Sequence, residues 1–145
     1  MAGPAAAGPV IYFRATPPMD DGALGFDVLA ASLRADARDL ELFLEVLAAK
    51  LIDALPGRVG VEHEGGLISR KRVKRVAVDL GEHRYELARA PGGLAGRHSH
   101  QVRGITLKTE QLPIEDWITA LSRHLAEQAR DSEQGRVALQ RLING

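Results

Sequence analysis

The stretch Val76-Ala77-Val78-Asp79-Leu80-Gly81-Glu82-His83-Arg84-Tyr85-Glu86-Leu87 decides the fold. Apolar side chains recur at every second position on both sides of Gly81-Glu82, the period of a half-buried strand. Glycine at the first central position suits a type II′ turn, and a two-residue turn fixes the register. Leu80 then faces His83, Val78 faces Tyr85 and Val76 faces Leu87, all on one side. On the other side Asp79 meets Arg84, an opposite-charge cross-strand pair. The result is an antiparallel hairpin with one apolar face, and such a face needs a covering layer.

Working outward, Val59 and Val61 alternate with Arg58, Gly60 and Glu62, which predicts a strand before the hairpin; Leu67 and Ile68 follow Glu64-Gly65-Gly66. Beyond the hairpin, Pro91-Gly92-Gly93 through Gly96 reads as a flexible connection. A fourth strand is expected from about His98 to Thr109. Val102 differs in parity from Ile105 and Leu107, which places a bulge at Gly104.

The covering layer is helical. From about Ala35, the residues Ala37, Leu40, Phe43, Leu44, Leu47, Leu51, Ala54 and Leu55 recur at three- and four-residue steps. That is a 3.6-residue apolar stripe. Leu42, Val46 and Ile52 widen it, predicting a helix buried on more than one side. Pro56-Gly57 ends it, and Asp36, Asp39, Glu41 and Glu45 suit the positive end of its dipole. Pro113 is placed to open a second helix, with Glu115 and Asp116 in its first turn and Ile114, Trp117, Ile118, Leu121 and Leu125 as its stripe. After Gly135, the residues Val137, Leu139, Leu142 and Ile143 fit a short last helix. The expected class is α+β: a two-layer sandwich in α-β-β-β-β-α order, an antiparallel meander with helices on one face.

Residues 28–145 are expected to form the single domain and residues 1–27 a flexible tail. Met1 to Pro9 holds only small and apolar residues, too little to offset its ordering entropy. Within that tail Val10, Ile11, Tyr12 and Phe13 form a docking strand or an arm packed on the domain itself. Met19 to Gly25 reads as a loop.

The 145 residues are 45% hydrophobic and 26% charged, with no cysteine. No apolar run is long enough to span a bilayer. Disulfides, zinc ribbons, iron–sulfur clusters and thiol nucleophiles are excluded, and a cytoplasmic setting is expected. The net charge is zero but layered. Residues 1–57 hold four basic and eight acidic side chains, residues 58–108 eleven and five, and residues 109–145 four and six. A basic middle between acidic ends binds a polyanion, or is neutralised by its own flanks.

The densest charge is Arg70, Lys71, Arg72, Lys74 and Arg75. Such a run neutralises phosphates with salt-dependent affinity. It lacks interleaved aromatics on which bases would stack, and strand-edge charges also guard against aggregation. His98 and His100, two apart on a strand, share one face, with His63 or His83 available to complete a metal site. No nearby carboxylate and no HExxH pattern supports it, so no metal and no cofactor is expected. Ser69, Ser99, Ser122 and Ser132 lack a nucleophile-elbow context. The Gly65-Gly66 and Gly92-Gly93 pairs match no phosphate loop, and Glu62 and Glu64 have basic neighbours that keep both ionised. Trp117, the only tryptophan, is a core anchor or, on an interface, its hot spot.

By element order alone the layout resembles small dimeric binding proteins and secretion-chaperone-like adaptors. The expected function is a non-enzymatic protein-interaction module, an adaptor or assembly component with a protein partner and a homodimeric state. Its candidate surface is Arg70, Lys71, Arg72, Lys74, Arg75, Trp117, Ile11, Tyr12 and Phe13. The alternative is polyanion or nucleic-acid binding through the basic segment 70–75.

Overall fold

The computed structural model describes residues 21–66 and 71–144. The hairpin stands as expected. Strand β2 (Arg72–Leu80) pairs with β3 (His83–Ala90), Leu80 opposite His83, Val78 opposite Tyr85 and Val76 opposite Leu87. Gly81 takes φ +61° while Glu82 stays on the negative side, as a II′ turn requires. Arg84 grips Asp79 with two hydrogen bonds, of 2.9 and 3.1 Å.

Around this pair the described residues build a five-stranded antiparallel meander in chain order. β1 (Val59–Glu64) lies beside β2, Val61 opposite Val76 and Val59 opposite Val78. β4 (Gly93–Val102) and β5 (Ile105–Leu112) complete it. The sheet thus has one strand more than expected, for two local reasons. Pro91-Gly92 is a tight turn rather than a loose connection: Ala90 pairs with Gly93, and Gly92 at φ +84° follows a proline whose own φ is fixed. The parity change near Gly104 is also a turn. Arg103 and Gly104, at φ +52° and +81°, are the central pair of a hairpin, the two left-handed positions of a type I′ turn. The bulge lies just inside it, where the register slips between His100 and Gln101.

Among the described residues four helices cover one face: α1 (Asp21–Asp36), α2 (Leu40–Ala54), α3 (Ile114–Asp131) and α4 (Glu133–Asn144). α2 lies on β1 and β2, α3 on β4 and β5, and α1 and α4 pack on these two. The architecture is α+β with helices on one side of an antiparallel meander. The continuous helix expected from Ala35 is broken. Asp39 leaves helical geometry at φ −111° and accepts a hydrogen bond of 3.1 Å from the Glu41 amide, so it caps α2 instead of continuing α1. The loop expected at Met19–Gly25 is helical from Asp21, and residue 28 falls inside α1. Gly25 is there for closeness: a Cβ would stand 2.5 Å from Leu139 Cδ2. Gly135 likewise opens α4 against the backbone of Gln128, where a Cβ has no room.

Leu29, Leu33, Phe43, Leu44, Leu47, Leu80, Leu87, Trp117 and Ile118 are buried almost completely. Each large side chain there is worth about 1.5–3 kcal/mol relative to exposure. One expectation fails in an instructive way. Leu42, Val46 and Ile52 of α2, expected to be covered, are 56%, 37% and 50% exposed. Among the described residues nothing forms a second layer over that side of the helix. Val10, Ile11, Tyr12 and Phe13 lie outside the described residues.

Candidate functional site

The sheet register gathers histidines that the sequence scatters. On the helix-covered face His83 of β3 lies opposite His100 of β4, and Tyr85 lies opposite His98. The His83 ring is stacked between two others, 5.0 Å from His98 and 4.8 Å from His100, within 10° of parallel. His124 arrives from α3, its ring edge-on to His83 at 5.1 Å. Its Nδ1 lies 3.0 Å from the Tyr85 hydroxyl, and His83 Nδ1 lies 2.8 Å from His98 Nε2, within hydrogen-bond distance. Carboxylates stand at the rim: Glu110 Oε1 is 3.6 Å from His98 Nδ1, and Glu82 Oε1 is 3.3 Å from His100 Nε2.

The electrostatics favour neutral imidazoles at the centre. Burial lowers the His83 pKa, and the neighbouring His98 and His100 lower it further against the pull of Glu82. Burial also lowers His124, reinforced by His83 and His98 and opposed by Glu127. The Tyr85 hydroxyl is pushed up to about 12, by burial first and then by Glu127 and Glu110. Such a phenol serves as a hydrogen-bonding partner of His124 at neutral pH, with no share of phenolate to act as a base. Among the described residues no three His, Asp or Glu side chains converge on a point that a metal ion would occupy. The only serine on these strands, Ser99, is buried on the opposite face, with its Oγ 3.3 Å from Thr109 Oγ1. The cluster clasps α3 to the sheet. Periodicity shows His83, His98 and His100 on shared faces; His124 is joined to them only by the docking of α3.

The basic run is largely spoken for by its neighbour strand. Arg72 Nε lies 2.7 Å from Glu64 Oε2 and Arg75 Nη1 3.9 Å from Glu62 Oε2. Lys71 and Lys74 are exposed, with no ion pair among the described residues, and Arg70 lies outside them. Trp117 is fully buried under α3, its ring against Gly96, so it meets no partner and is a core anchor. The exposed face of the sheet is likewise self-paired, with Arg84 between Asp79 and Glu86, and Arg97 Nη1 3.5 Å from Glu86.

Among the described residues an edge of the sheet remains unpaired. β5 ends the sheet, and its Ile105 and Leu107 are 65% and 60% exposed, the two most exposed large apolar side chains among the described residues. The other edge, β1, has six residues, a register slip at Glu62/His63 and the two ion pairs just described, devices that discourage strand pairing. A groove beside Pro56, Arg58, Gln128, Asp131 and Gln134 encloses about 590 Å³ without any of the clustered histidines. No family model, no curated protein and no solved structure matches this chain.

Proposed function

We propose that this chain is a non-enzymatic protein-interaction module that self-associates, with the β5 edge as its contact. The observation that carries the reading is the exposure of Ile105 and Leu107 on a strand whose outer side meets no partner strand among the described residues. A strand edge offers main-chain donors and acceptors to an added strand, and apolar side chains on it add area withdrawn from water. A structural role for the histidine cluster is supported by the His124–Tyr85 contact, which ties α3 to the sheet. The exposed Leu42, Val46 and Ile52 of α2 give the module a second apolar surface.

Size-exclusion chromatography with light scattering across a hundredfold concentration range tests the reading. The native chain is expected to move toward twice its 15.7 kDa mass as concentration rises, and Leu107→Glu to remain at the single mass. A parallel titration with a DNA duplex at low and physiological salt tests the polyanion alternative. Weak binding that salt abolishes is expected, because Arg72 and Arg75 are already paired. A chain that stays monomeric throughout and holds DNA tightly at physiological salt overturns the interaction reading.

A further inference from the structure

We infer that the β5 edge receives the β5 edge of a second copy, antiparallel, across a two-fold axis passing through Thr109. This rests on the self-association reading above and adds the occupant and the register. A two-fold axis perpendicular to a sheet maps the edge strand onto itself reversed, so the axis must pass beside one residue, which then faces its own copy. The usable stretch is short. Lys108 pairs with His100 but Thr106 with Gln101, which leaves Leu107 as the extra residue of the bulge. Beyond Leu112 stands Pro113, which has no amide hydrogen to donate. Regular pairing is therefore confined to the segment from Leu107 to Leu112.

Charge selects among the registers that remain. Lys108 and Glu110 lie two apart on one face of the strand, with side chains 75% and 42% exposed. An axis at Lys108 sets an ammonium against its own copy, and an axis at Glu110 does the same with a carboxylate. Like charges directly opposite are destabilising. With the axis at Thr109, Lys108 lies opposite Glu110 of the second copy, and the symmetry supplies the same pair again. Leu107 then lies opposite Gln111 of the second copy, at the two ends of the paired segment. Within one chain Lys108 Nζ already lies 3.8 Å from Glu110 Oε2, so the four side chains alternate in sign across the seam. Because the axis is perpendicular to the sheet, both helical layers lie on the same side of the joined meanders.

Charge reversal and cross-linking read the register directly. Lys108→Glu and Glu110→Lys are each expected to weaken self-association about tenfold or more, since each turns two attractive cross-strand pairs into repulsive ones. The double variant K108E/E110K restores the alternation and is expected to return to within about threefold of the native constant. The native chain has no cysteine, so an introduced thiol is the only one present. Thr109→Cys is expected to give a disulfide-linked dimer under mild oxidation. Leu107→Cys is not, because its two copies then lie four positions apart along the ladder, roughly 13 Å, beyond disulfide reach. Both thiol variants keep the native charges and report on the register even where a reversal disturbs folding. A dimer that ignores the single reversals, or that cross-links through Cys at 107 in preference to 109, overturns the register and leaves self-association standing. A native chain that is monomeric throughout the concentration range overturns both.

Discussion

Replacing Gly96 with alanine adds one methyl group where the helix layer meets the sheet most closely. Its Cβ would lie 2.8 Å from Trp117 Cδ1, 3.0 Å from Cγ and 2.9 Å from the Leu112 carbonyl oxygen. Carbon atoms rest about 3.5–4.0 Å apart, so the indole must retreat by roughly 0.7 Å. It has little room to do so, being fully buried on α3, and the carbonyl belongs to the strand paired with Gly96 itself. Overpacking of this kind costs about 1–3 kcal/mol. Urea unfolding followed by far-UV circular dichroism reads it as a lower midpoint at unchanged slope. Gly60→Ala is the control: a Cβ there meets nothing within 4 Å, and the midpoint should move by less than about 0.5 kcal/mol. Trp117→Leu completes a cycle. Alone it removes a large, fully buried ring, costing up to about 3–5 kcal/mol. Combined with Gly96→Ala it opens space for the new methyl, so the double variant should be more stable than the sum by about 1 kcal/mol or more. A Gly96→Ala midpoint indistinguishable from native, or strict additivity, would refute the close approach of α3 to β4 at this point.

Leu44→Ala and Leu47→Ala, both at residues fully buried on α2, should each cost about 2–5 kcal/mol, whereas Leu42→Ala, at a residue 56% exposed, should cost under about 1 kcal/mol. Equal costs at Leu42 and Leu47, together with a melting temperature that rises with concentration, would show that a second copy covers α2. Stability should fall as pH drops below about 6.5: the lowered pKa values of His83 and His124 mean that the unfolded chain binds protons first, and the loss continues until the folded-state pKa values are passed. Around those two rings are His98, His100, Tyr85 and the carboxylates of Glu82 and Glu127, with Glu110 beside His98. Urea midpoints at pH 7.5 and 5.5 measure the change, and His124→Gln should flatten it; an unchanged slope in that variant would remove His124 as a source.

The sequence by itself determined the pieces whose causes are local. The alternation across Gly81-Glu82 fixed the hairpin register to the residue, including the Asp79–Arg84 pair, because a two-residue turn leaves no freedom in alignment. The stripes around Leu47 and Trp117 likewise marked the faces that bury. The same local reading gave Pro91-Gly92 and Gly104 the wrong roles. Glycine marks a flexible link, a bulge and a tight turn alike, and only the strand found on the far side tells them apart. Tertiary packing alone decided the rest. α1 forms through Gly25 because its glycine lets Leu139 approach, a contact more than a hundred residues distant in sequence. His124 joins three strand histidines only because α3 docks on the sheet beside them. Leu42, Val46 and Ile52 look like core in the sequence, since apolar periodicity records which faces avoid water without recording whether the same chain can cover them.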